Sequence, residues 1–261
     1  MNFQSITQQV VELSLECGAF MKKERETFSW SKVEFKGKNN LVSYVDKETE
    51  KMIVSKLKKV LPQAGFITEE GTVKTGEESY KWIIDPLDGT TNYIHGVPCY
   101  STSIALVKDT ELLLGVVFDV VRDNCYYAYK GGGSFCNGMP IQVSENSNLE
   151  NALIATGFPY YNFDRMENYL NILKDLMKEC HGLRRWGSAA IDLIFTATGY
   201  FEGFFEYNLN PWDVAAGIII VQEAGGTVTD FSGGDNYLFG REIVAANGVH
   251  PEFLAVVKKH W

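Results

Sequence analysis

The stretch "WIIDPLDGTTN", Trp82 to Asn92, passes from three apolar residues directly into two carboxylates three positions apart, with a proline between them and small residues behind. Trp82, Ile83 and Ile84 read as a strand. Pro86 has no N–H for a sheet ladder, which predicts that the strand stops at Asp85. Gly89 can adopt backbone angles closed to other residues and Thr90 is a helix-capping type. The chain is therefore expected to turn here with several N–H groups aimed into one small volume. Two carboxylates in that volume repel each other unless protons or cations intervene, whereas a phosphate would be drawn by the amides and by any cation the acids hold. A plain Asp-Gly turn, with Asp88 bonding its own backbone, is the competing reading.

Two further acidic segments repeat the pattern. In "AGFITEEG" the apolar pair Phe66-Ile67 runs into Glu69-Glu70 and a glycine. In "WDVAAGIIIVQEAGG", Asp213 precedes a helix with almost no polar face, which predicts a buried helix with Asp213 as its N-cap. Acids at three element ends suit a cluster of hard oxygen ligands, for which Mg²⁺ is the natural occupant. The four histidines show no metal-ligand spacing.

The chain has 261 residues, 45% apolar and 22% charged, with no repeat or low-complexity linker, a globular composition long enough for one large or two modest domains. The N-terminal residues lack a basic start and a long apolar run, so neither a signal peptide nor a membrane span is expected, and the protein is placed in the cytoplasm. Five scattered cysteines without a C-x-x-C fit reduced thiols. A net charge of −9 argues against broad nucleic-acid or anionic-membrane binding. An anionic substrate then needs bound cations to attract it.

Apolar residues at three- and four-residue steps predict a helix over 3–26, and "DKETEKMIVSKLKKVLP" a second with Asp46 as N-cap. The polar, basic segment between them, with Lys36 and Lys38 beside Gly37, reads as a flap or a solvated turn. From Tyr100 to Ser144 short apolar runs and turn dipeptides predict an antiparallel meander, with a hairpin at Asn137-Gly138 and a strand bend at "GGGSF". After Glu150 strands and helices alternate. Two halves result, 1–147 (helices and an antiparallel sheet, with most of the candidate ligands) and 148–261 (mixed α/β, supplying Asp213 and substrate contacts).

Taken together, "TEEG", "WIIDPLDGTTNYIHG" and "WDVAAGIIIVQEAGG" resemble the signature motifs of the inositol monophosphatase family, in the expected order and across nearly the whole chain. The resemblance implies the layered αβαβα sandwich shared with fructose-1,6-bisphosphatases, a homodimer, and a Mg²⁺-dependent, lithium-sensitive phosphatase with two or three ions per site. It assigns metal ligation to Glu69, Asp85, the Leu87 carbonyl, Asp88 and Asp213. Glu69, Asp85 and Thr90 become catalytic, with Thr90 and Glu69 steering the attacking water. Gly89 and Thr90 bind phosphate, and Asp88, Ala189, Glu206 and Asp213 contact the substrate. The expected partner is a small phosphorylated metabolite, inositol 1-phosphate first. The segment "TGFPYYN" departs from the serine-rich loop of the animal enzymes, which leaves NADP, fructose 1,6-bisphosphate and histidinol phosphate as alternatives. A non-catalytic partner-binding protein of the same fold is the alternative from another class. Other phosphatase chemistries fit poorly, since the chain has no Cys-x5-Arg and no Asp-x-Asp.

Overall fold

The structure is a computed structural model describing residues 1–29, 33–37, 40–159 and 162–261. Helix α1 (Phe3–Glu26) is capped by Asn2, whose side chain accepts the Ser5 N–H, and buries Val10, Leu13, Cys17 and Met21 along one face. Strands β1 (Val33–Gly37) and β2 (Asn40–Ser43) pair as an antiparallel hairpin where the sequence suggested a flap; Lys38 lies outside the described residues. Helix α2 spans Tyr44–Val60. Its N-cap is Ser43, and Asp46, expected at that position, is the third helical residue of an S-x-x-D capping box.

Seven strands form the larger sheet: β3 (Gly65–Thr68), β4 (Tyr80–Asp88), β5 (Ser101–Lys108), β6 (Glu111–Asp119), β7 (Asn124–Tyr129), β8 (Gly133–Cys136) and β9 (Met139–Ile141). They lie in sequence order, and only β3–β4 is parallel. The β8–β9 turn uses positive φ at both Asn137 and Gly138, as an Asn-Gly hairpin requires. The second sheet has the order β11-β10-β12-β14-β13, from β10 (Leu153–Thr156), β11 (Gly182–Arg184), β12 (Gly203–Tyr207), β13 (Thr227–Thr229) and β14 (Glu242–Ala246). Strand β11 has only three residues, too few to display a period, and has no counterpart in the sequence reading.

Alternation along the strands sets the layers. Trp82, Ile84, Ile104, Leu106, Val116 and Phe118 face α1 and α2, while Ile83, Ala105, Val107 and Val117 face α5 (Ala189–Ala197) and α6 (Pro211–Glu223). In the smaller sheet, Phe204, Ile243 and Ala245 face α5 and α6 from the other side, and Phe205, Val244 and Ala246 face α4 (Met166–Glu179) and α7 (His250–His260). The result is an αβαβα sandwich whose central strands, buried on both faces, read as continuous apolar runs. Helix α6 is buried from Val214 to Val221, as its sequence requires. Its N-cap is Asn210, however, with Pro211 first in the helix; Asp213 is the third helical residue and accepts the Asn210 N–H at 2.6 Å.

Strand β4 does not stop at Asp85. Its pairing with β5 runs Asp85↔Ser103 and resumes at Asp88↔Ser101, so one extra residue is accommodated on β4. Pro86 sits inside this bulge, where no ladder N–H is called for. A short six-residue helix, α3 (Thr90–His95), follows at once.

The middle layer is held at close range by Gly115 of β6, where a Cβ would lie 2.7 Å from the Ala216 carbonyl oxygen and 2.8 Å from the Ala216 Cα. Backbone cannot swing aside as a side-chain tip can, so Gly115→Ala is expected to destabilise the fold by about 1–3 kcal/mol. Chemical denaturation checks this, and an unchanged midpoint would show that α6 tolerates displacement from the sheet.

Candidate active site

Element ends from both sheets open on one cavity. Glu69 directly follows β3, and its N–H donates to the Ile84 carbonyl (3.3 Å), extending the β3–β4 pairing by one residue. The turn beyond is tied to α2 by buried Glu50, whose carboxylate accepts the Glu70 N–H (2.7 Å) and the Thr72 N–H (2.8 Å) and hydroxyl (2.7 Å). In the β4 bulge, Asp85 Oδ1 accepts the Leu87 N–H (3.0 Å), while the Thr102 hydroxyl donates to the Pro86 carbonyl (3.2 Å). Gly89 then turns the chain at φ 89°, and a Cβ there would lie 2.9 Å from the Cys99 carbonyl oxygen.

Gly89, not Thr90, is the N-cap of α3. This frees the Thr90 hydroxyl, which lies 2.9 Å from both Asp46 Oδ1 and the Leu87 carbonyl oxygen. The Asp88 carboxylate reaches a different element rather than its own turn: Oδ2 accepts from the Ser188 hydroxyl (2.5 Å) and the Ala190 N–H (2.8 Å) at the start of α5. The plain Asp-Gly turn is thereby set aside. Across the cavity Glu206 projects from β12, with room made by Gly157, where a Cβ would fall 2.0 Å from the carboxylate.

Glu69, Asp85, Leu87, Asp88, Gly89, Thr90, Ala189, Glu206 and Asp213, the residues singled out in the sequence, all line this cavity together. Asp46, Glu50, Ser188 and Arg185 were not among them. Asp46 was visible only as a capping residue, and Glu50 belongs to an ordinary helical pattern. Ser188 and Arg185 precede a helix with no local mark of what they face. Tyr160 and Tyr161 of "TGFPYYN" lie outside the described residues.

The cavity is electrostatically stressed. Burial raises the Asp85 pKa well above the usual carboxylate range, and Glu69, Asp88 and Asp213 raise it further by repulsion. Burial lifts Asp88 to about 6 against the opposing pull of Ser188, the α5 N–H groups and Arg185. Asp213 is lifted to about 7 by burial and by Asp88, opposed by its bond to Asn210. Glu206 is raised by burial and by Asp213, and Arg185 partly offsets this. Among the described residues no three His, Cys, Asp or Glu side chains are already drawn into a metal cage. The donor set nevertheless suits a hard cation. It is all oxygen, without His or Cys among the described lining residues, and its carboxylates mutually raise their proton affinity in the way a divalent ion relieves.

The chain matches the family model described as inositol monophosphatase family over residues 2–261. It is 40% identical over 238 residues to the Nus factor SuhB of Escherichia coli K12, covering 91% of this chain and 89% of that protein. It is 37% identical over 252 residues to the inositol-1-monophosphatase of Mesorhizobium japonicum, covering 96% and 95%. The crystal structure of the extragenic suppressor protein suhB from Bartonella henselae superposes with a TM-score of 0.91 at 36% identity, covering 98% of this chain and all of that one. The αβαβα layering, the acid-lined cavity and these matches agree: the chain belongs to the inositol monophosphatase family.

Proposed function

We propose that this protein is a Mg²⁺-dependent phosphatase of small phosphate monoesters, with inositol 1-phosphate as its foremost substrate. The observation that carries the reading is the gathering of Glu69, Asp85, the Leu87 segment, Asp88, Thr90 and Asp213 around one cavity from elements far apart in the chain. Glu69, Asp85, the Leu87 carbonyl, Asp88 and Asp213 would hold two or three Mg²⁺ ions. When bound, these ions supply Lewis acidity to water and to phosphate oxygen.

The protein's own part is to orient and to move a proton. Thr90 can donate its hydroxyl proton to Asp46 Oδ1 while a lone pair accepts from water, so water, hydroxyl and carboxylate form a short relay. Burial raises the Asp46 pKa from its ordinary value against the opposing pull of its bonds to Ser43 and Thr90, which suits a group that must accept a proton and then release it. The family resemblance pairs Thr90 with Glu69, whereas the hydroxyl contacts here favour Asp46 in that role. Gly89 and Thr90 would turn their amides to the phosphate. Glu206 and Ala189 would meet the alcohol portion, the carboxylate accepting from hydroxyls. Water attack in this scheme needs no covalent phospho-enzyme.

The name Nus factor carried by the E. coli relative favours a second reading, a partner-binding role for the same fold. A phosphate-release screen with Mg²⁺ against inositol 1-phosphate, NADP, fructose 1,6-bisphosphate and histidinol phosphate separates the two. Turnover of at least one ester supports the enzyme, and no release from any favours the partner.

Activity is expected to require Mg²⁺ and to fall in millimolar Li⁺; full turnover in excess chelator would contradict this. In Asp85→Asn, kcat should drop at least about 10³-fold, roughly 4 kcal/mol of transition-state stabilisation, and near-normal turnover would remove Asp85 from the chemistry. Glu206→Gln should raise KM or shift the substrate ranking by about tenfold with Mg²⁺ dependence intact. An unchanged ranking across the panel would exclude Glu206 from substrate recognition.

A further inference from the structure

Ser43 ends β2, opens α2 and is fully buried, as is Asp46. A helix N-cap needs only an acceptor, and Ser43 Oγ provides one by accepting the Val45 N–H at 3.1 Å. The hydroxyl proton has a different destination. It is donated to Asp46 Oδ2 at 2.7 Å, and the Ser43 N–H reaches the same oxygen at 2.9 Å. The two oxygens of Asp46 are thus divided: Oδ2 takes both Ser43 donors, and Oδ1 faces the Thr90 hydroxyl.

That division matters because the Thr90 hydroxyl has one proton and two acceptors at 2.9 Å, Asp46 Oδ1 and the Leu87 carbonyl. A carboxylate fixed in plane wins this competition, since hydrogen bonds to a charged acceptor are roughly twice as strong as neutral ones. Without the hydroxyl bond only the Ser43 N–H holds Oδ2, and a carboxylate held by one donor can rotate out of line and leave the Thr90 proton bonded to the carbonyl, which cannot carry it away. We propose that Ser43 is a positioning residue for hydrolysis, holding the Asp46 carboxylate so that Oδ1 is presented to Thr90. This role rests on the phosphatase reading above. It links the hairpin β1–β2, which ends at Ser43, to the residue that handles the proton.

The test measures kcat and KM for phosphate release from inositol 1-phosphate in saturating Mg²⁺, with unfolding midpoints, for Ser43→Ala, Ser43→Gly and Ser43→Thr. Glycine caps helices nearly as well as serine, so Ser43→Gly deletes the hydroxyl while leaving the helix start within a few tenths of a kcal/mol. Ser43→Ala and Ser43→Gly are expected to lower kcat about tenfold with KM within about twofold, and Ser43→Thr to restore kcat to within about threefold. A Ser43→Gly enzyme with wild-type kcat would overturn the proposal. So would a Ser43→Thr enzyme as impaired as Ser43→Ala, or a loss confined to KM. Those results leave the phosphatase reading standing, whereas a wild type that releases no phosphate from any ester of the panel would remove both.

Discussion

Carboxylates confined at short range must be neutralised, and the architecture around the cavity follows from how this chain manages that constraint. Glu69, Asp85, Asp88, Asp213 and Glu206 line one cavity, and Asp85 carries the repulsion of three of them on top of its own burial. Hydrogen bonds absorb part of the cost. Ser188 and the first N–H groups of α5 pull Asp88 down, and the Asn210 N–H does the same for Asp213. These donors lie at helix starts, where unpaired N–H groups favour negative charge. What they leave uncompensated is mutual repulsion, which the cations of the proposed phosphatase would relieve.

Holding such a cluster requires a stiff frame. The α5–α6 layer is pressed between both sheets, with a Cβ on Gly217 falling 2.5 Å from Leu193 and one on Gly115 meeting the α6 backbone. Asp213 and Ala189 therefore inherit their positions from a helix pair with little freedom to shift. On the opposite side α2 fixes two parts of the site at once, Asp46 at its start against Thr90 and Glu50 one turn further along against the segment after Glu69. Asn92 locks α3 to the approach to α5 by donating to the Cys99 and Trp186 carbonyls at 2.8 and 2.9 Å.

Features written in local chemistry were legible in the sequence. The buried helix α6 shows in its unbroken apolar run, the β8–β9 hairpin in Asn137-Gly138, and Glu69, Asp85, Asp88 and Asp213 in their positions beside apolar runs. Details set by distant neighbours were not. Pro86 argued for a strand end because a bulge, which needs β5 as a partner, leaves no mark on one strand alone. Asp46 and Asp213 looked like caps because a capping box places its acid three residues after the true cap, and only the folded helix tells the two positions apart. The bond from Asp88 to α5 spans about a hundred residues, and no local pattern encodes it. The partnership of Thr90 with Asp46 was hidden in the same way, by 44 residues of intervening chain.

If the acid cluster holds divalent cations, as proposed, the unfolding midpoints of the wild type and Asp85→Asn, each in Mg²⁺ and in excess chelator, will report their binding. Binding to the folded state alone stabilises it by about 2.7 kcal/mol at a hundredfold excess over Kd. A clear rise with Mg²⁺ is expected for the wild type and little or none for Asp85→Asn. In chelator, Asp85→Asn should match or exceed the wild type, because it relieves repulsion that no cation is offsetting. A wild-type midpoint indifferent to Mg²⁺, together with a destabilised Asp85→Asn in chelator, would contradict the proposed cation binding.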